Sequence, residues 1–329
     1  AHKNEIALQV ARLLEKNKAD VRLESIENIV DFESMPIGIF EGHHRAFLKI
    51  QDGCNQYCAY CQIPLARGPE RSQQPQQVIE IAKALAEKGH QEIVLTGIHT
   101  GRYSFRKENL AQLLQELLEN VPENVCFRIS SIEITEVSDA LLDLMAASPR
   151  VLPHLHIPIQ SGCDSVLARM KRPYSVEQFK NRVSQIRAKV PEVSISTDVI
   201  CGFPMETEEE FEITAANLEE IGFSFLHVFP YSRRKGTAAD AMTGHVDPRT
   251  AKERTARLLQ LSEKLRKRDM ARFDSVEVLV EREDLHHPGI YTGYTKQYHP
   301  ARIKSSVPLE GRVILSSPKV MDLAYCCEM

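Results

Sequence analysis

The spacing of apolar positions along this chain changes several times, and each change marks an element. In residues 3–17 (KNEIALQVARLLEKN), Ile6, Leu8, Val10, Leu13 and Leu14 fall mainly on one side of a helical wheel, which predicts an amphipathic helix. Between Asp20 and His44 the pattern dissolves into mixed polarity with a Pro-Ile-Gly break, as in a linker or wrapping segment. From Arg45 onward short apolar runs alternate with helical periodicity. Runs at 46–50, 92–96, 125–130, 154–159, 193–200 and 223–229 predict strands, and stretches at 75–88, 109–119, 138–147, 175–189 and 207–221 predict helices between them. Six successive units of this kind predict a parallel α/β architecture, either an open doubly wound sheet or a partial (β/α) barrel. Periodicity does not choose between these.

A long helix follows at 248–272, with nine Lys/Arg against three acids. After it the texture shifts to short β-rich segments separated by turn residues (SVEVLVE, GIYTGYT, ARIKSS, GRVILSS), which predict a small all-β barrel of about five strands. The expected divisions are 1–44, 45–272 and 273–329. An apolar content of 43% supplies a core for the larger division. No apolar run is long enough to cross a bilayer, and the first residues lack the basic-then-apolar layout of a signal peptide, so a cytoplasmic protein with no membrane contact is expected. The net charge of −4 means that any nucleic-acid contact is local.

Three of the eight cysteines, Cys54, Cys58 and Cys61, crowd into GCNQYCAYCQIP directly after the first predicted strand, in a C-x3-C-x2-C spacing. A chain of this size does not need disulfide staples, so the crowding points to a metal. Thiolates suit zinc or an iron-sulfur cluster. Structural zinc wants a fourth ligand nearby, and the closest candidates, His43 and His44, precede the strand and belong to its other end. Three thiolates on a cubane leave one iron open for a ligand. Of the remaining cysteines, Cys163 and Cys201 read as small core fillers, Cys126 lies at the wrong end of its strand, and Cys326 and Cys327 read as frayed terminal thiols.

The triad spacing resembles the signature of the radical S-adenosylmethionine (SAM) superfamily. The segments FLKIQDGCNQYCAYCQIPLARGPERS, IVLTGIHTGRY, RISSIE, LHIPIQSGCDSVLARMKRPY, STDVICGFPMETEEEF and HVFPYSRRKGTAA are similar to successive blocks of the methylthiotransferases. Within that family they are most similar to the MtaB-like branch that acts on threonylcarbamoyladenosine in tRNA. The resemblance implies a partial (β/α)6, TIM-like barrel, a 4Fe-4S cluster on the cysteine triad, and SAM on its open iron. It also implies methylthiolation at C2 of N6-threonylcarbamoyladenosine in the tRNA anticodon loop, with electrons from a flavodoxin or ferredoxin. By position in the matching blocks, Tyr60 is expected at the adenine, and Thr96 and Gly97 at the SAM amine. Ser130, Ser131 and Glu133 are expected at the ribose or amine, with Gln160, Ser161, Asp198, Gly202 and Phe203 elsewhere around SAM. Arg67 and Arg71 are expected to hold anionic groups, RNA phosphate included.

The terminal β-segments resemble the TRAM domain, an OB-like RNA-binding barrel, with TGYTKQYHPARI the most similar stretch. Tyr291, Tyr294 and Tyr298, interleaved with Lys296, Arg302 and Lys304, would offer stacking faces beside phosphate-seeking charge, and the basic helix would add phosphate contacts. Family members also carry a second cysteine triad in an N-terminal domain, for an auxiliary cluster used in sulfur insertion. No cysteine precedes Cys54, so the resemblance implies a chain equipped to form the radical but without ligands for the auxiliary cluster. Two other functions fit the same residues: methylthiolation of a ribosomal-protein aspartate, and a non-catalytic RNA-binding module stabilised by a metal.

Overall fold

The computed structural model describes residues 44–328, together with 10, 11, 13, 14 and 31–33. Positions 10, 11, 13 and 14 are helical; the rest of the helix expected at 3–17, and nearly all of 20–43, lie outside the described residues. The barrel strands are β1 (Arg45–Lys49), β2 (Glu92–Thr96), β3 (Cys126–Ile129), β4 (His154–His156), β5 (Ser194–Cys201) and β6 (Phe225–Pro230). They form two parallel three-stranded sheets, β1-β2-β3 and β4-β5-β6. Parallel bridges at Phe127↔Val151 and Ser131↔His156 join the sheets into one succession. Among the described residues β6 does not pair with β1, so the barrel is open on one side. A (β/α)6 barrel, not a doubly wound sheet, is therefore what the six units build.

Helices α1 (Pro75–Glu87), α2 (Leu110–Asn120), α3 (Asp139–Ala147), α4 (Val176–Lys189) and α5 (Glu208–Ile221) return the chain between strands. Their starts are written in the sequence: Asn109, Ser175 and Thr207 each begin a reciprocal capping box with Gln112, Gln178 and Glu210. Val78, Leu113, Leu142, Phe179 and Phe211 bury their sides of these helices against the strands, in one core with Leu48, Leu95 and Ile195. Because the strands are parallel, the loops that follow them all gather at one end, which is where the cysteines lie.

Helix α6 (Pro248–Met270) crosses to the opposite end and leads into β7 (Val276–Glu283), β8 (Ile290–Thr295), β9 (Pro300–Lys304), β10 (Val313–Ser316), β11 (Lys319–Met321) and β12 (Ala324–Glu328). These form one sheet in the order β10-β7-β8-β9-β12-β11. The structure has six strands where about five are expected: the four segments singled out in the sequence form β7 to β10, and β11 and β12 lie beyond them, where frayed terminal thiols are expected. The AYCCE run of β12 instead pairs in parallel with β9, burying Tyr325 and Cys327 in the sheet's own core with Val278 and Ile303. Among the described residues β10 and β11 do not pair, so the sheet does not close into a full barrel.

This sheet caps the N-terminal end of the barrel. Arg128 donates from Nη1 to the carbonyl of Lys296 at 2.9 Å and from Nε to Glu92 Oε1 at 2.6 Å. Arg45 meets the same carboxylate oxygen at 2.9 Å. Burial opposes the charge on Glu92, but the two guanidiniums outweigh it and hold the carboxyl below its ordinary range. Among the described residues no helix is long and apolar enough to cross a membrane.

Candidate active-site cleft

Past β1 the chain turns at Gly53, which has φ 73°. A Cβ there would overlap the Pro69 carbonyl, so only glycine lets the chain double back this tightly. Asp52 fixes the turn by accepting from Lys49 Nζ at 2.6 Å and Arg71 Nη2 at 2.8 Å. The cysteine loop is then tied down along its length. The N–H of Cys54 donates to the Gly68 carbonyl at 3.1 Å, and that of Ala59 to the Met170 carbonyl at 3.0 Å. Beneath it, Ala59, Cys163, Val166, Met170, Phe203 and Ala239 form a small apolar floor. The floor excludes water from the underside and holds the loop in register with the strand ends.

Cys54, Cys58 and Cys61 are all free thiols and share one cleft with Tyr60, Ser131, Glu133, Gln160 and Asp198. Each sulfur has an N–H donor. The backbone of Gln56 donates to Cys54 and that of Ile63 to Cys61, both at 3.4 Å, and Arg172 Nη1 donates to Cys58 at 3.0 Å. Burial pushes the Cys61 thiol up, against the Ile63 N–H, so a bound metal is what would favour its thiolate. Arg172 also pairs with Glu133, and its Nε donates to Tyr174 Oη at 3.1 Å. Burial raises the Tyr60 phenol well above its usual range, so Tyr60 stays a neutral wall of the cleft. Three soft donors on one loop, each with a hydrogen bond to sulfur, and no fourth cysteine in the cleft among the described residues, fit a cubane cluster with one open iron.

Arg172 and His99 are the cleft residues that sequence reasoning missed. Arg172 follows a short helix, Asp164–Arg169, far from the triad in sequence. His99 stands three residues beyond β2, and asking which titratable side chains follow each strand would have found it. Its Nε2 lies 2.9 Å from Glu136 Oε1, and its Nδ1 lies 3.6 Å from Cys54 Sγ and 3.7 Å from Glu70 Oε1. Burial works against its charge, but the contacts with Cys54 and with the carboxylates of Glu136 and Glu70 prevail and raise its pKa to about 11.

The other expected SAM residues divide in two. Ser131, Glu133, Gln160, Asp198 and Tyr60 line the cleft. Gln160 holds φ 67°, a left-handed conformation that costs a non-glycine residue about 1 kcal/mol or more. Thr96, Gly97, Ser130, Ser161, Gly202 and Phe203 are not among the lining side chains and have structural partners. Thr96 accepts the Ile50 N–H, Gly97 leaves room for Gln51, and Ser130 meets Thr100. Ser161 meets Thr214, Gly202 donates to Glu206, and Phe203 lies in the apolar floor. Cys163 and Cys201 are buried fillers as expected, and burial pushes Cys201 up to about 12.

The residues expected at RNA occupy different settings in the structure. Arg71 is half-buried and staples the loop, donating to Asp52 and to the Arg67 carbonyl; Arg67 itself is the freer of the two. Tyr294 and Tyr298 stack on each other, with ring centroids 4.9 Å apart, at the capped base of the barrel. Arg45 lies 4.7 Å from the Tyr294 ring and Arg128 4.8 Å from the Tyr298 ring, so one face of each ring borders the barrel's base, while Tyr298 stays exposed overall. Tyr291 is buried and Lys296 pairs with Glu277, whereas Arg302 and Lys304 are exposed. His44, once a zinc candidate, sits against Gly311 at that same base.

Residues 48–218 match the Radical SAM superfamily model. The chain is 40% identical over 92% of its length to the threonylcarbamoyladenosine tRNA methylthiotransferase MtaB of Bacillus subtilis, covering 69% of that protein. It is 38% identical over 79% of its length to MtaB of Thermotoga maritima, covering 60% of it. Among solved structures, the radical SAM methyltransferase TsrM from Kitasatospora setae, with cobalamin and a [4Fe-4S] cluster bound, matches 59% of this chain and 38% of its own at TM-score 0.52 and 15% identity. Coproporphyrinogen III oxidase HemN from Escherichia coli matches 67% of this chain and 52% of its own at TM-score 0.50 and 18% identity. At these identities the structures support the barrel fold alone. Sequence, fold and cysteine cleft agree: the chain belongs to the radical SAM superfamily, in the family of MtaB-like methylthiotransferases, whose cofactors are a 4Fe-4S cluster and SAM.

Proposed function

We propose that this chain supplies the radical-forming body of a tRNA methylthiotransferase that modifies C2 of N6-threonylcarbamoyladenosine in the anticodon loop. The observation that carries the reading is the relation to Bacillus subtilis proteins of two specificities. Identity is 40% over 312 residues to its MtaB and 33% over 289 residues to its tRNA-2-methylthio-N(6)-dimethylallyladenosine synthase. The substrate tRNA enters from the mouth of the barrel, and a flavodoxin- or ferredoxin-like protein supplies electrons.

In this reading Cys54, Cys58 and Cys61 hold the cluster. With SAM bound, the cluster supplies one-electron cleavage to a carbon radical. The protein's part is to bind, orient and shield. Arg172 keeps Cys58 and Glu133 in place, the floor under Phe203 keeps water out, and Ser131, Gln160 and Asp198 offer hydrogen-bond partners within the cleft. Gln160 keeps a strained backbone there, as residues committed to a ligand often do.

A single-ion site has one observation in its favour, because the ligand atoms of Cys54, Glu70 and His99 lie within 4.8 Å of one another. It leaves Cys58 and Cys61, free on the same loop, without a purpose, and the cluster reading uses both. Nucleoside mass spectrometry of tRNA from a strain lacking this gene tests the function. We expect loss of the 2-methylthio group from threonylcarbamoyladenosine and its return on complementation. Loss from dimethylallyladenosine alone, or from neither, overturns the assignment.

A further inference from the structure

His99 lies against a cluster cysteine and has no part in the reading above. Its position is set by a built network. The His99 N–H donates to Gln51 Oε1 at 2.8 Å, Gln51 is fully buried, and Gly97 leaves the space that Gln51 fills. On the ring's far side, Glu136 Oε1 lies 2.9 Å from Nε2 and is held by Arg102 Nε at 2.8 Å, and Gly101 leaves room for the Glu136 side chain. The imidazole side chain is 7% exposed, so it has little freedom to turn away. The loops after β1, β2 and β3 thus converge to place Nδ1 3.6 Å from the Cys54 sulfur, with Glu70 Oε1 beside it at 3.7 Å.

We propose that His99 is a positioning residue for Cys54: its Nδ1–H donates to the cysteine sulfur in the cluster-bound protein and raises the cluster's reduction potential, while Glu136 fixes the ring. This rests on the cluster reading of the cysteine triad. The direction follows from charge, since reduction adds an electron to a cluster already surrounded by thiolates, and N–H donors to sulfur stabilise the more negative state. Arg172 at Cys58 is a second side-chain donor of this kind, and the backbone N–H groups of Gln56 and Ile63 complete the set.

The test uses the full chain, reconstituted anaerobically with iron and sulfide, as wild type, His99→Leu and His99→Asn. Iron per chain is measured first, then the midpoint potential by a redox titration followed by electron paramagnetic resonance. The expected result is equal iron in all three, a midpoint in His99→Leu more negative than wild type, and a return toward wild type in His99→Asn, whose carboxamide restores an N–H donor. Equal midpoints in wild type and His99→Leu overturn the proposal and leave the cluster reading intact. Loss of iron from both variants also overturns it, because His99 would then be a ligand or a folding residue. A wild-type chain that takes up zinc and forms no cluster overturns the cofactor reading, and this proposal with it.

Discussion

At the scale of single residues, the cleft depends on positions where one atom decides the outcome. Gly53 is the clearest. Gly53→Ala adds a methyl group against the Pro69 carbonyl at a left-handed φ, which costs about 1–2 kcal/mol for the conformation before any overlap is counted. The turn that presents Cys54 must then open. We expect the purified variant to be folded by circular dichroism but to retain less than about half the wild-type iron, since a site whose geometry is lost loses its metal. The three cysteines were legible because their spacing is local. His99 was legible only as a titratable residue just past a strand, and Glu136 and Arg172 were not, because all three arrive from other loops and meet the cysteine loop only when the parallel strands bring their ends together.

At the scale of elements, α5 and α6 show why charge counts alone mislead. The basic surplus of α6 suggested a phosphate-seeking face, but α5 presents Glu208, Glu212 and Glu219 to Arg254, Arg257 and Lys264. The helices are zipped together over the outside of the barrel. The buried member of the zipper is Arg254, which donates from Nη1 to Glu206 Oε2 at 2.8 Å. Arg254→Ala strands a buried carboxylate and should cost about 3–5 kcal/mol in urea unfolding, whereas Arg257→Ala, at an exposed pair, should cost under about 1 kcal/mol. Similar losses from the two variants would contradict the difference in burial. The barrel strands and helices themselves were legible, because strand runs and capped amphipathic helices alternate without interruption. The β12 strand was not, because its turn from β11 is local but its parallel partner β9 lies upstream of both β10 and β11.

At the scale of the whole molecule, the terminal sheet closes the end of the barrel away from the cysteines, with Tyr294 packed at the junction beneath Arg45. Ser194 from the barrel, Asp269 from α6 and His299 from the sheet meet there. Ser194 Oγ donates to Asp269 Oδ2 at 2.5 Å, and His299 Nε2 lies 2.9 Å from the same oxygen. Burial pushes the Asp269 carboxyl up, but the hydrogen bonds from His299 and Ser194 and the pairing with Arg272 outweigh it and leave it below its ordinary 3.8. Its stabilising contribution is therefore present above that value and is lost as pH falls through the lower folded one. Between about pH 5 and about pH 3 the wild type should lose more stability than Asp269→Asn in urea titrations; parallel losses would show that the junction does not sense acid. Whether Cys54, Cys58 and Cys61 hold the radical-forming cluster is decided most directly at the other end, by incubating the anaerobically reconstituted chain with SAM and a reductant and measuring 5′-deoxyadenosine. The wild type is predicted to form it and Cys58→Ser to form none; no product from an iron-loaded wild type, or equal product from both, would contradict the assignment.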